Sequence, residues 1–351
     1  MDNSIIPTPD TIPVHWLWFQ VLLTFTFILH LLFMNMILGG SLLTIWNLIR
    51  GKNIDSESKH LPTLIALTIN LGVPPLLFVQ VLFGNFFYTS SVMMAVYWIL
   101  VIPILILAYY GAYIFSKKME TKPLLAKISL IISTVFALYI AFMFVNNSTL
   151  ALQPNEWGRY LLHPEGKLLN IGDHTFLPRY LHFLVAAVAI ASLLKAVWAK
   201  FFKKSMNEKE KQLAIKSNLK VFAWATIVQF VVGIWFWISF PTSIGKAFLG
   251  GDLTATLLMG IALISALLII YFALKGKLVQ ALIQGLFQVI IMAIVREVSR
   301  SKYLIDLFKP SELVNVHQTS PLVVFLLTFV IGLLAIYFMY TLTLTSKSNK
   351  S

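Results

Sequence analysis

Nine stretches of this sequence are long and apolar enough to cross a lipid bilayer, which takes about 20 residues per helix. Because lipid cannot satisfy backbone N–H and C=O groups, such stretches fold as helices. The nine predicted spans are Trp18–Ile45, Leu61–Tyr88, Met93–Phe115, Ile128–Val145, Leu177–Trp198, Val221–Phe240, Leu253–Leu274, Leu278–Val295 and Pro321–Leu342. The hydrophobic fraction of 58% agrees with this pattern. The sequence therefore predicts an all-α polytopic membrane protein.

The spans predict a single membrane domain over residues 1–351. Helices 1–4 take up about residues 16–148, an outer loop residues 149–176, and helices 5–9 about residues 177–343. Most of the 27 Lys and Arg residues fall in the loops on one side, which marks that side as cytoplasmic. We expect a multi-pass protein of the bacterial inner membrane with its N-terminus outside and its C-terminus in the cytoplasm. The basic run Lys200–Lys220 is then a cytoplasmic loop that touches anionic lipid, and the net charge of +13 reflects topology rather than nucleic-acid binding.

The sequence contains no cysteine. A disulfide, a thiolate-held iron–sulfur cluster and a covalently attached c-type haem are therefore excluded on this chain. Any metal must be held by His, Met, Glu or Asp. Few titratable residues lie deep in the predicted spans, which argues against proton or ion translocation.

Four possible iron ligands lie within or at the ends of these spans: His30, His182, Met259 and Glu297. From the rise per residue, His182 lies roughly 6–8 Å and Met259 roughly 9 Å below the outer ends of their helices. At matching depth the two could hold one low-spin haem as a His/Met pair. Each residue also has an ordinary interpretation: histidine and methionine as packing residues, and Glu297 as an ion-pair partner of Arg296 or Arg300.

Five segments carry a likeness to a known family. They are HLLFMNMILGG in the first helix, LGVPPLLFVQVLFGNFFYTSS in the second, NNSTLALQP…LLNIGD after the fourth, FLPRYLHFLVAAVA in the fifth, and REVSRSKYL at the end of the eighth. In order and spacing they resemble segments of subunit I of the cytochrome bd quinol oxidases. The likeness covers nearly the whole chain, and it implies two four-helix bundles plus one peripheral helix.

The resemblance implies specific roles. His182 and Met259 would be the axial ligands of a low-spin haem b, Glu297 the ligand of a high-spin haem b, and His30 the ligand of a third haem. One to three haems are thus expected. Arg179, beside the start of the fifth helix, would be a partner of a haem propionate or a membrane-interface anchor.

The departures from the family are equally specific. The third helix lacks the family's glutamates, the link PTSIGKAFLGGD replaces its long quinol-binding loop, and Leu257 stands where its arginine precedes the methionine. We therefore expect a haem b electron-transfer subunit that exchanges electrons with a periplasmic c-type cytochrome, through Asn146–Phe176 and Arg296–Ser320. Two alternatives stay open: a terminal reductase of oxygen or another small molecule, and a haem-free membrane anchor or transporter-like subunit. Whether a quinone site exists also stays open.

Overall fold

The structure, a computed structural model, describes residues 5–51, 60–162, 164–202, 206–316 and 319–348. Lys203 and Lys204 of the predicted cytoplasmic loop lie outside these residues. The helices are α1 (Trp16–Ile49), α2 (Leu61–Met93), α3 (Ala95–Lys118), α4 (Pro123–Leu152), α5 (Gly158–Leu162), α6 (Phe176–Phe201), α7 (Glu208–Ile238), α8 (Thr242–Lys246), α9 (Leu253–Leu274), α10 (Leu278–Leu304) and α11 (Thr319–Ser348). In the part of the chain described, β-structure is confined to one parallel bridge between Ile12 and Asn315.

Eight of these helices are long and apolar enough to cross a membrane: α1, α2, α3, α4, α6, α7, α9 and α10. The predicted all-α polytopic membrane fold is confirmed. The ninth predicted span lies in α11, whose shorter apolar segment is Val323–Met339. Its large apolar side chains, such as Phe325 and Leu334, are exposed, as expected of a helix at the periphery.

The long helices pack as two groups of four, α1–α4 and α6–α10 with the short α8. The main contact between the groups is made by α1 against α6. The two helices cross at Gly39, where an added Cβ would lie 2.0 Å from the carbonyl oxygen of Ala187 and 2.8 Å from Cβ of Ala191. Small residues on both sides allow backbones to come this close within a membrane.

We expect Gly39→Ala to destabilise the fold, because the new methyl group would meet the backbone of α6 and force the two groups apart. Overpacking of this kind costs about 1–3 kcal/mol. Gly40→Ala is the matched control, since an added Cβ at Gly40 meets no atom within 4 Å. Thermal unfolding in detergent compares the two. Equal melting temperatures for the two variants would contradict the close crossing.

One end of the molecule, here called the N-terminal face, carries residues 5–15, the α4–α6 link and the α10–α11 link. The backbone of Ile12 bonds to Val314 and Val316 at 2.9 and 2.8 Å. Ile12, Phe308 and Leu313 pack on apolar side chains of α2, and Trp157 is fully buried among them. These segments form an apolar cap over the ends of α1, α2 and α10, so polar groups beneath it are shielded from water.

At this same face, Asp252 at the start of α9 forms an ion pair with Lys302 of α10. Its side chain caps α9 by accepting a hydrogen bond from the Ala255 N–H at 2.9 Å, and it lies 2.6 Å from Nζ of Lys302. The Lys302 ammonium and the Ala255 N–H hold the pKa of the Asp252 carboxyl below its ordinary value of 3.8. The carboxylate therefore contributes stability above that ordinary pKa.

This contribution is lost as the pH falls through the lowered pKa of the folded state. We expect Asp252→Asn to lower the melting temperature at neutral pH, and the difference from the wild type to stay constant down to about pH 5 and to shrink as the pH falls below the ordinary pKa of 3.8. Asparagine still caps a helix, so the substitution isolates the charge. Asp306→Asn, at an exposed position, is the control. A difference that does not depend on pH would contradict the ion pair.

Candidate functional site

His182 lies in α6, where its imidazole faces α7. Its Nδ1 is buried and has no hydrogen-bond partner among the described residues. Gly233 of α7 lies opposite, and a Cβ there would come within 3.3 Å of His182 Cε1 and 3.5 Å of Nδ1. The Phe236 ring forms the neighbouring wall, 5.9 Å away between centroids. An unsatisfied buried nitrogen is costly, which makes this imidazole a candidate ligand.

His30 lies in α1 and repeats the arrangement against α2. Its Nδ1 is 3.0 Å from the carbonyl oxygen of Thr68. Because a carbonyl only accepts, Nδ1 carries the proton and the Nε2 lone pair is left available. Metal-binding histidines commonly make this bond to a backbone carbonyl with the nitrogen that does not bind the metal. Gly72 of α2 leaves room for the imidazole, since a Cβ there would lie only 2.8 Å from His30 Cε1.

The two histidines lie on the same side of the α1–α6 crossing. Counting residues along each helix, His30 is about 14 Å from Gly39, and His182 is about 8 Å from Ala187. Both helices begin at the N-terminal face, so both imidazoles lie between the crossing and that face. Each half of the molecule thus places one histidine of its first helix against a glycine of its second.

Met259 lies in α9, which packs on α7. Its side chain is partly buried against the apolar cluster of Ile244, Phe248 and Ile291. Two phenylalanine rings, Phe236 and Phe240, lie between this apolar cluster and His182. Phe236 is 4.9 Å from Phe240 between ring centroids, and Phe240 packs on the same cluster as Met259. His182 therefore packs against α7 itself, whereas Met259 packs in the cluster that includes Phe240, two residues beyond the end of that helix.

Glu297 ends up in an ion network rather than beside a histidine. Its Oε1 lies 2.7 Å from Arg296 Nη1, and its Oε2 lies 2.9 Å from Arg300 Nη1 and 3.1 Å from Gln20 Nε2. The ion pairs with Arg296 and Arg300 that the sequence offered as the ordinary interpretation both form. Gln20 is ten residues before His30, about 15 Å along α1, so the two candidate ligands lie at different levels.

Aromatic rings hold the two arginines of this network. The Arg296 guanidinium lies over the Phe27 ring at 4.4 Å and that of Arg300 over Phe83 at 4.5 Å, as in cation–π pairs. Phe83 has non-helical angles (φ −131°, ψ 31°) inside α2. Pro74 and Pro75 also lie inside α2, but the non-helical residue is Phe83, beyond both prolines.

A chain of buried polar contacts at the N-terminal face was not predicted. Asn146 accepts a bond from the Asn170 N–H at 2.7 Å, and Asn170 donates to Gln153 at 3.1 Å. Gln153 in turn donates to Asp173, which also accepts from the backbone of Thr175 at 2.8 Å. The only signal in the sequence is the density of amides in NNSTLALQP and LLNIGD, because the partners are fixed by the tertiary fold.

Arg179 lies at the end of this chain, in the first turn of α6. Its Nη2 donates a weak hydrogen bond of 3.4 Å to Thr175 Oγ1, and its guanidinium lies 5.0 Å over the Phe236 ring. Its Nε is buried without a partner among the described residues. The guanidinium and the His182 imidazole thus contact the same phenylalanine from α7.

The fold and these residues define the class: an all-α polytopic membrane protein with one histidine in each helical group. The chain matches no protein-family model, no curated protein and no solved structure. Among the residues described, no three His, Asp or Glu side chains converge on one point.

We expect Glu297→Gln to be strongly destabilising, because it leaves the buried Arg300 without a counter-charge. Arg300 is 8% exposed, and breaking a buried pair costs about 3–5 kcal/mol. Glu156→Gln is the control, since its pair with Arg159 is exposed and is worth about 1 kcal/mol or less. Chemical unfolding in detergent measures both. A loss at Glu297 no larger than that at Glu156 would contradict the buried network.

Proposed function

We propose that this chain is a haem b-binding electron-transfer subunit of a membrane complex. The observation that carries the proposal is the pair of histidines, each on the first helix of its group and each facing a glycine of the next helix. Both lie toward the N-terminal face, which the distribution of Lys and Arg assigns to the outside of the bacterial inner membrane. The likeness to subunit I of the bd oxidases supports the same interpretation.

The residues fit such a group in two respects. The Thr68 carbonyl orients His30 so that Nε2 is left for iron, and the buried Nδ1 of His182 lacks a protein partner. Gly72 and Gly233 let each imidazole pack directly against the neighbouring helix, because an added Cβ there would meet the ring. When bound, haem b would supply a one-electron ferric/ferrous couple, whose potential the axial ligands and the apolar surroundings tune.

Each side chain has a definite task in this proposal. His182, with Met259 as the second ligand, would hold a low-spin haem, and His30 would hold another. Glu297 would first have to exchange a partner, because Arg296, Arg300 and Gln20 already occupy its oxygens. Its proposed role as an iron ligand is therefore the part with least support from the geometry.

The electron partner would dock on the N-terminal face. Its exposed charges are largely paired within the chain: Arg159 with Glu156, and Lys167 with Glu165. The Glu165 carboxylate beside the Lys167 ammonium raises the pKa of that lysine. We propose a periplasmic c-type cytochrome as the partner, bound mainly through apolar and hydrogen-bonding contacts because the paired charges present little net field.

A haem-free membrane anchor is the second candidate function. It is favoured by one observation, namely that Glu297 and Met259 already have protein partners, an ion network for the first and an apolar cluster for the second. In that case His30 and His182 would serve helix packing alone.

Replacing single histidines distinguishes the two. We expect His182→Ala and His30→Ala each to lose one haem from the purified chain, because alanine offers iron no ligand. The loss is measured by the pyridine haemochrome assay and by the reduced-minus-oxidised spectrum. His174→Ala, at an exposed position, is the matched control and keeps the full content. If both interior variants kept the wild-type haem content and spectrum, the ligand assignment would be wrong.

A further inference from the structure

Two polar groups between α6 and α10 are buried and unsatisfied. They are Nε of Arg179 and the hydroxyl of Tyr303, neither of which has a hydrogen-bond partner among the described residues. They interact electrostatically with each other, so they lie in one place. Neither the Arg179 Nε–H nor the Tyr303 hydroxyl therefore makes a hydrogen bond of good geometry, which is costly for buried groups in a native protein.

Charges of both signs act on Arg179. It lies in the first turn of α6, where the helix dipole already favours negative charge. No acidic residue lies in that turn, and the side chain of Thr175 does not cap the helix. Arg296 adds a second positive charge within electrostatic reach, and the Asp173 carboxylate adds a negative one. The question is therefore whether a carboxylate bonds directly to this guanidinium.

The carboxylates nearby are already engaged. Asp173 receives hydrogen bonds from Gln153 and Thr175 rather than from Arg179. Glu297 is committed to Arg296 and Arg300. Three guanidinium groups thus share two carboxylates, and Arg179 interacts with Asp173 only at longer range, without a hydrogen bond among the described residues. The half-buried Arg179 keeps a buried Nε without an acceptor, and a buried donor in that state is costly.

We propose that Arg179 and Tyr303 form an anion-binding site that takes the carboxylate or phosphate group of an amphipathic molecule. A guanidinium presents a planar set of donors that matches both oxyanions, and the tyrosine hydroxyl adds another donor. Phe236 and Phe240 form the adjacent wall, which suits an apolar body attached to the anionic group. Two sources share this chemistry: the propionate of a bound haem and the phosphate of a phospholipid.

The site itself does not depend on the proposed function; only the first of its two sources does. The test uses the purified full-length chain with the substitutions Arg179→Gln and Tyr303→Phe. Tyr303→Phe keeps the ring that packs on Phe240, so it remains informative if Arg179→Gln folds poorly. Arg159→Gln, which removes an exposed guanidinium, is the matched control.

Two measurements separate the sources. In the first, delipidated protein is titrated with short-chain phosphatidylglycerol, with the zwitterionic phosphatidylcholine and with inorganic phosphate, and the melting temperature is followed. If the anion is a lipid phosphate, phosphatidylglycerol stabilises the wild type more than phosphatidylcholine does. Arg179→Gln then binds it roughly tenfold more weakly or worse, since a hydrogen bond to a charged group is worth about 1.5–3 kcal/mol.

In the second, haem retention and midpoint potential are measured for the same variants. If the anion is a propionate, Arg179→Gln loses haem faster and shifts the potential, while the lipid titration does not distinguish the variants. Arg159→Gln changes neither quantity. The proposal is overturned if Arg179→Gln is at least as stable as the wild type and neither titration nor haem retention responds. A protein purified without haem would refute the proposed function, yet the titration with phosphatidylglycerol would still test the anion-binding site.

Discussion

The close crossing of α1 and α6 is the contact on which the rest of the structure depends. At Gly39 the two backbones approach so closely that even a methyl group would reach the Ala187 carbonyl. This contact joins the two groups of four helices. It also fixes the relative heights of His30 and His182, which lie on these same two helices. Any account that treats the histidines as related sites therefore relies on this crossing, because it joins the two helices that carry them.

The ion network of Glu297 and the chain of buried amides both lie at the N-terminal face. Glu297 and its arginines lie beneath an apolar cap formed by the N-terminal segment and the α10–α11 link. The cap removes water from the ion network, which strengthens each interaction and raises the cost of each unmatched group. Both carboxylate oxygens of Glu297 have partners, whereas Arg179, Tyr303, His182 and Nη1 of Arg300 retain atoms without a hydrogen bond.

The fold could be predicted from the sequence because hydropathy and helix length act locally. The windows around α1, α6 and α9 coincide with helices to within a few residues. The histidines were also recognisable, since a titratable group inside an apolar helix is conspicuous. The glycines that face them were not, because the partners His30–Gly72 and His182–Gly233 are defined only once neighbouring helices pack.

The ion network around Glu297 could likewise be predicted from the sequence only in part. The sequence offered Arg296 and Arg300 as neighbours of Glu297, and both pairs are present because residues one or three positions away are close on any helix. Gln20 could not be foreseen, since it comes from the far end of the chain. Likewise the non-helical turn at Phe83, which brings its ring beneath Arg300, follows from packing rather than from the prolines earlier in α2.

The most direct test of the central claim is a reduced-minus-oxidised visible spectrum of the purified chain, with its haem content determined by the pyridine haemochrome assay. The account predicts the bands of haem b, with at least one haem per chain. Their number would show whether His30 holds iron as well as His182. A properly folded, colourless protein, unable to take up added haem, would contradict the account and favour a helical membrane anchor without a redox cofactor.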